Sequence, residues 1–446
     1  MSTKNTDTRT GDIKKFEVYS NKGGTAVDLS GGIVDLRYYE SVLSNTVSMT
    51  AVVMDTGFKA DGDGNASLSD KGVLDGLPIR GGEQTVVKIV DSKGDGNELS
   101  FSAETSFYVN RIRAGNPNVN QDMFILDFGP RELFANEQSR VVQRYDGKIS
   151  ENVKKILEDN DGLKVEKEIT IDETLIDYNF IGNDRKPFYI CTWLASKSVP
   201  AGKGEKGAAA GYFFYETYDG FNFRSIDALF DQKYKKKYLY NDNNETKDGF
   251  EKVISYNIDR DVDLHQNLVL GTYANRSLFF DFYAMDYKVR EYSYDDNQKD
   301  KVIVAGSDDI DSVADEFRTP VSRLMNHVLD VGTLPPGKDI SSQLSNWKNS
   351  PFDPTYDASN TTVQSIMRYN QMFTIKINIV IAGDFTLRAG DLIYCEFPQV
   401  TGDPNKEKNE QSGGIYMISS LCHRITSEDT FTSLTLVRDS FGRKPF

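Results

Sequence analysis

The residues best suited to nucleophilic, acid–base or metal chemistry are three histidines and three cysteines. A zinc site needs three or four such side chains converging on one point. His265, His327 and His423 lie far apart, and His265 stands between Asp263 and a polar run, the setting of a surface histidine. Cys395, Cys422 and His423 converge if the last strands share a sheet, yet a fourth ligand is missing. Adjacent Cys422 and His423 also project from opposite faces of a strand, so a core cysteine and a rim histidine are expected. Cys191 has no histidine near it in sequence and reads as a small core residue. No H-E-x-x-H, G-x-S-x-G or C-x-x-C occurs.

Other stretches resemble sites and fail in detail. Asp61-Gly62-Asp63-Gly64-Asn65 suggests a calcium loop, but Ala66 replaces the sharp-turn glycine and Gly72 the bidentate Glu. Val199 to Gly211 is glycine-rich, yet Lys203 is followed by Gly204 and no strand precedes it, so it reads as a flexible linker and not a phosphate loop. Lys233, Lys235, Lys236 and Lys237 alternate with tyrosines through Tyr240. On a chain of net charge −15, that patch reads as solvated or protein-facing. Carboxylates are plentiful, but no spacing selects a glycosidase pair. The expectation is no catalytic residue, no cofactor and no metal.

The elements that would position side chains are mostly strands. Phe373, Ile375, Ile377, Ile379 and Ile381 alternate with Thr374, Lys376, Asn378 and Val380, the period of a half-buried strand. Ala389-Gly390-Asp391 makes a tight corner, Leu392 to Phe397 is a short apolar run, and Ile415 to Ile425 and Phe431 to Val437 complete four antiparallel strands. A second stretch has the same layout. Gly81-Gly82-Glu83 precedes Thr85 to Val90, then Phe101 to Ile112 and Met123 to Phe128. Gly82 to Tyr108 is 108 − 82 = 26 residues and Gly390 to Tyr416 is 416 − 390 = 26, with Leu126 on Leu434 and Phe128 on Leu436. A duplicated β-domain follows.

Between these stretches the period becomes helical. Ile149, Val153, Ile156 and Leu157 share a face behind Ser150 as cap, and Pro187 opens a helix carrying Ile190, Cys191, Leu194 and Ala195. Tyr212 to Thr217 and Phe221 to Ser225 form a hairpin over Asp219-Gly220. Val363, Ile366, Met367 and Asn370 make a short helix capped by Asn360 or Thr361. The fold class is therefore α+β, mainly β, with two tube-like antiparallel β-barrel domains and inserted α/β domains. The expected division is 12–130 for the first barrel and 131–249 for an inserted α/β domain with helices at 149–159 and 187–197 and a hairpin at 212–225. Strands leading into the second barrel occupy 250–300, an insertion with peripheral loop and helices 301–362, and the second barrel 363–440.

The whole chain sets bounds on function. Its 446 residues allow two to three domains. Net charge −15 argues against gripping phosphates, and suits a surface that nucleic acid slides past. No apolar run approaches the roughly 18 residues of a spanning helix. Met1 to Gly11 lacks the apolar core of a secretion signal, which implies a chain made and kept in the cytoplasm unless an assembly carries it out. Three cysteines make no disulfide framework.

Gly31 to Gly57 (GGIVDLRYYESVLSNTVSMTAVVMDTG), Tyr212 to Ile226 (YFFYETYDGFNFRSI) and the ending GDFTLRAGDLIYCEFP…GGIYMISSLCHRITSEDTFTSLTLV resemble the baseplate hub protein of contractile-tailed phages. That family is related to the late control D proteins and to the N-terminal part of VgrG spike proteins. The resemblance runs from about Ile33 to Val437 and departs at Leu334 to Asn360 and at the 233–240 patch. It implies a non-catalytic virion component assembled in the host cytoplasm. As a homotrimer it would meet a central spike protein, a tail tube or tube-initiator protein and other baseplate proteins, with DNA only passing through the channel. Three copies of two barrels would adapt a six-fold tube to a three-fold spike. The edge strands expected at the inter-subunit interface are Leu36 to Val42 and Met372 to Ile381, with Leu36, Tyr38, Glu40, Val42, Phe373, Ile375, Ile377 and Ile379 as contact residues. Abundant Tyr (23) and Phe (26) keep a carbohydrate-directed tail enzyme or receptor-binding tail protein as the alternative.

Overall fold

The protein is described from a computed structural model covering residues 11–23, 26–55, 79–91, 98–114, 122–159, 162–175, 177–201, 209–240, 247–259, 264–281, 285–293, 313–328, 358–373, 375–398 and 412–439. The first β-unit contains β1 (Gly11–Val18), β2 (Val27–Asp28), β3 (Ile33–Ser41), β4 (Ser48–Asp55), β5 (Gln84–Asp91), β6 (Glu98–Phe101), β7 (Phe107–Ala114) and β8 (Asp122–Pro130). An α/β segment follows with α1 (Arg131–Gln138), β9 (Arg144–Tyr145), α2 (Ile149–Glu158), β10 (Glu168–Ile171), β11 (Phe180–Ile181), α3 (Pro187–Ala195), β12 (Tyr212–Thr217), β13 (Gly220–Ser225) and α4 (Ile226–Phe230). Next come β14 (Lys237–Leu239), β15 (Glu251–Asp259), α5 (Leu264–Leu270), β16 (Ala274–Asp281), β17 (Asp286–Ser293), α6 (Asp315–Arg318), β18 (Arg323–Val328) and α7 (Ala358–Met372). The last strands are β19 (Ile375–Ala382), β20 (Leu392–Glu396), β21 (Gly414–Thr426) and β22 (Thr430–Arg438).

Strands β14, β20, β21, β22, β19 and β15 pair in that order, and β15 returns to β14, closing a barrel. The first unit runs β1-β5-β7-β8-β4-β3 around one apolar core that includes Phe16, Leu36, Tyr38, Val87, Phe107, Phe124 and Leu126. Its seam between β1 and β3 is covered by the segment leading from β2, where the Leu29 amide donates to the Phe16 carbonyl at 2.8 Å. The free side of β3 takes β21, from Ser41 on Ser420 to Asp35 on Thr426. One continuous sheet therefore joins the two units, and the fold is mainly β with helices carried on the inserted segments.

The two units repeat one plan. The orders β5-β7-β8-β4-β3 and β20-β21-β22-β19-β15 are the same and all these pairs are antiparallel. Bulges recur at matching places, between Ile33 and Asp35 and between Val253 and Ser255, then between Val109 and Arg111 and between Ile418 and Ser420. Bulges bend and twist a strand at a fixed position, so their coincidence restricts the two sheets to similar curvature. A cross-strand bond recurs too. Thr50 Oγ1 donates to Asp127 Oδ1 at 3.0 Å, and Thr435 Oγ1 to Asn378 Oδ1 at 3.0 Å, in the matching strand pair. The register differs from the sequence expectation by one residue in β7. Leu421 opposes Leu434 as Ile112 opposes Leu126, which makes Phe107, fully buried, the counterpart of Tyr416; Tyr108 turns outward.

Between β15 and β19, where the first unit has only the short β3–β4 turn, the second carries α5, β16, β17, α6, β18 and α7. There β17, β16 and β18 form a sheet whose Phe279 packs on Val363 and Met367 of α7. The α/β segment has its own core, in which α2 buries Ile149, Val153, Ile156 and Leu157 and α3 buries Phe188, Cys191 and Leu194 under β12 and β13. Pro187 does stand in the first turn of α3, where its missing N–H costs nothing. Ser150 does not cap α2; Lys148 holds the cap position, and the buried Ser150 amide and hydroxyl bond Thr174 instead. α7 starts at Ala358, before the expected caps, and Phe373 lies in the turn ahead of β19. Asp61 to Asn65 and 334–357 lie outside the described residues, as does the middle of the Val199 to Gly211 stretch. The end of that stretch is not a surface linker, because Ala209 and Ala210 are buried and their amides donate to Asp227 Oδ2 and Gln364 Oε1.

Candidate functional site

Each unit turns a corner into its β5 or β20 strand, and the two corners share a sequence and a bonding pattern. They read Arg80-Gly81-Gly82-Glu83 and Arg388-Ala389-Gly390-Asp391. Gly82 has φ +85° and Gly390 φ +92°, a region that glycine enters without a Cβ penalty. The Gly82 amide donates to the Val109 carbonyl at 2.7 Å and the Gly390 amide to that of Ile418 at 2.8 Å. The carbonyls of Glu83 and Asp391 accept in return from Val109 at 3.0 Å and Ile418 at 2.9 Å. Each carboxylate also closes its own turn, Glu83 accepting from the Arg80 amide at 2.8 Å and Asp391 from that of Arg388 at 2.7 Å. Burial raises the Asp391 carboxyl above its ordinary value despite Lys235 at 2.7 Å.

The second corner is where the three parts of the chain meet. Glu40, on the buried face of β3, accepts through Oε1 from the Tyr218 amide at 2.8 Å and the Tyr38 hydroxyl at 3.0 Å, and through Oε2 from the Ala389 amide at 2.9 Å. Burial pushes its carboxyl up to about 7, against the pull of Arg388 and those donors. Arg388 donates to Asp219 at 3.0 and 3.3 Å and to the carbonyls of Phe385 and Leu387 at 2.6 and 3.0 Å, and lies 4.6 Å from the Tyr218 ring centre. Burial opposes its charge, but Glu40 and Asp219 outweigh that and hold it above its ordinary value. Beside this junction, β10, β13 and the 388–391 corner enclose a cleft of about 330 Å3 that mixes Arg224, Lys235 and Arg388 with Glu168, Asp219 and Asp391.

His423 corrects one expectation. It is fully buried, parallel to Tyr38 at 6.0 Å and edge-on to Phe385 at 5.2 Å, with Nδ1 2.9 Å from Thr432 Oγ1. Burial, helped by Arg388, pushes it down to about 3. The rim position belongs to Cys422, which is half-buried, because β21 directs His423 into the seam between the units. Cys395 and Cys191 are buried, and burial raises both thiols. His265 is exposed on α5. Among the described residues, no group of three or more His, Cys, Asp or Glu could hold a metal.

The expected interface strands need correction as well. β3 is flanked by β4 and β21, and β19 by β15 and β22, so neither has a free edge. Leu36, Tyr38, Glu40, Val42, Ile375, Ile377 and Ile379 are buried inside the chain, and Phe373 is half-buried next to them. Their alternation marks a core face and not an edge. Lys235 and Lys236 face protein: Lys236 reaches Asp384 at 2.5 Å and Glu251 at 3.2 Å, and the same run supplies β14, which closes the barrel. The sequence expectation missed Glu40 and Arg388 as partners. Its signal was a carboxylate at an inward position of the Leu36, Tyr38, Glu40, Val42 series.

No family model and no curated protein matches the chain. Among solved structures, a tail protein from Neisseria meningitidis MC58 aligns over 96% of this chain and 97% of its own, at 11% identity and a TM-score of 0.52. A 43 kDa tail protein of prophage MuSo2 from Shewanella oneidensis aligns over 96% and 98%, at 8% identity and 0.48. A type VI secretion component from E. coli aligns over 98% and 79%, at 8% and 0.40. The first likeness shows a shared fold across the whole chain. At that identity it carries no activity and no site residue with it.

Proposed function

We propose that this chain is a structural, non-catalytic hub subunit of a phage contractile tail or a related injection machine. Three copies would close into a ring that joins a six-fold tail tube to a three-fold central spike. The observation that carries this reading is the repetition of one β-plan within a single chain, down to the bulges, the corner bonds and the Thr50–Asp127 and Thr435–Asn378 pairs. Three chains with two similar units each present six similar surfaces on one side, while the inserted segments repeat three times on the other. The full-length fold shared with a tail protein supports the same reading.

Contacts between copies need edges or faces that the chain leaves open. The outer edge of β1 over Asp12 to Lys15 has no strand partner among the described residues, and the outward faces of β4–β8 and β19–β22 are the repeated surfaces. In the proposed ring these replace the strand edges of β3 and β19 as the contact between neighbours, and DNA passes through the channel without being gripped. Native mass spectrometry of the protein alone and with its spike tests the assembly. A mass of three chains, 3 × 50.1 kDa, is expected in at least the mixture. A monomer in both samples would remove the adaptor reading.

A further inference from the structure

The β12–β13 hairpin is a two-residue turn, because Thr217 pairs with Gly220 and leaves Tyr218 and Asp219 at the tip, one residue earlier than the Asp219-Gly220 expected from sequence. That tip projects out of the α/β segment into the seam between the units. Tyr218 touches the first unit three ways: its amide donates to Glu40, its hydroxyl lies 3.2 Å from the Ser100 amide and 3.3 Å from the Ser100 carbonyl, and its ring meets Phe101 edge-on at 5.4 Å. The ring also lies under Arg388 of the second unit, and Asp219 holds the same guanidinium. Two residues back, Glu216 accepts from the Val47 amide of the first unit at 3.1 Å and from Lys167 of its own segment at 2.6 Å.

Apart from this tip the two units are joined by the β3–β21 ladder, by the Ala389 amide on Glu40 at 2.9 Å, by the Gly11 amide on Thr430 Oγ1 at 2.7 Å, by Arg424 on Asp35 at 3.1 Å and by contacts around His423. A ladder fixes the spacing of its two strands, but twist about it is a soft motion of sheets. The tip bonds both units at once, and a strut of that kind opposes twist about the ladder.

We propose that Tyr218 and Asp219 form a clasp that sets the angle between the two β-units through Glu40 and Arg388, so that displacing the inserted α/β segment changes that angle. The segment is then an actuator, and a partner that pulls on it acts on both units at once. This inference concerns a single chain and does not depend on the proposed ring.

Pulsed electron-spin distance measurement tests it. Labels go on Lys14→Cys in β1 and Lys376→Cys in β19, both exposed, in a Cys422→Ser background, with labelled chains diluted among unlabelled ones. Parent protein should give one narrow distance. Tyr218→Ala should broaden the distribution by about twofold or more while circular dichroism and protection of Cys191 and Cys395 stay as in the parent. Should Tyr218→Ala not fold, Asp219→Ala carries the test, since that side chain is 61% exposed and its loss leaves the cores intact. It should broaden the distribution in the same way and less. A folded variant with the parent distribution in each case overturns the clasp.

Discussion

The repeated corners supply a perturbation with a built-in control. Gly82→Ala and Gly390→Ala place the same methyl at matching positions with φ near +85° and +92°. Both substitutions force a side chain into a sparsely populated region, at about 1–3 kcal/mol each. Their surroundings differ. A Cβ at Gly82 finds its nearest neighbour, Asn21 Nδ2, 3.8 Å away, whereas one at Gly390 runs into the Tyr215 hydroxyl and stands 3.3 Å from Leu229 Cδ2. Tyr215 and Leu229 are buried, so the second site adds overpacking of about 1–3 kcal/mol. Gly82→Ala should thus cost about 1–3 kcal/mol and Gly390→Ala about 2–6. In a unit of this size 1 kcal/mol lowers the melting midpoint by about 4 °C. A chain with several cores need not melt in one step, so the midpoint should be followed with limited proteolysis that reports which unit opens. A neutral Gly82→Ala, or equal losses at both sites, would refute the corner geometry.

Other outcomes follow from the same structure. The Glu40 carboxyl rises from 4.5 to about 7 in the folded chain, so its contribution is full below pH 4.5 and is lost as pH rises through 7; melting followed from pH 5 to 8 should fall, and Glu40→Gln should flatten that slope. Arg368 and Asp227 form a buried ion pair that also receives the Ala209 amide, and Asp227→Ala should lower stability by about 3–5 kcal/mol in chemical denaturation, with a loss under 1 kcal/mol contradicting the pairing. A thiol reagent should modify Cys422 slowly in the folded protein and Cys191 and Cys395 only on unfolding; three equally fast thiols would contradict the burial.

Local pattern carried much of this fold. The alternation of Ile375 to Ile381 and the glycine corners made β19 to β22 and the duplication readable, because a strand with one buried face writes its period directly into the sequence. Long-range pairing left no such trace. β3 and β21 are hydrogen-bonded across Glu40 and Leu421, and nothing near either strand announces that its edge is occupied. β14 was hidden because a three-residue strand among lysines has neither length nor alternation, though it closes the barrel. The one-residue slip at Tyr108 came from the connection ahead of β7, since Gly82 to Phe107 is 107 − 82 = 25 residues where Gly390 to Tyr416 is 416 − 390 = 26, and a one-residue slip turns every side chain to the other face. Glu40 was legible as an inward carboxylate, but its donors at residues 218 and 389 could be found only in three dimensions.

In the proposed ring each of three chains supplies two equivalent β-units. Electron cryomicroscopy of the assembled protein viewed down its symmetry axis measures that directly. The expected view is a three-fold ring with six similar lobes at one end, alternating between first and second units, and three peripheral masses from the inserted segments. A ring of any other order, or six lobes that are copies of a single unit, would contradict it.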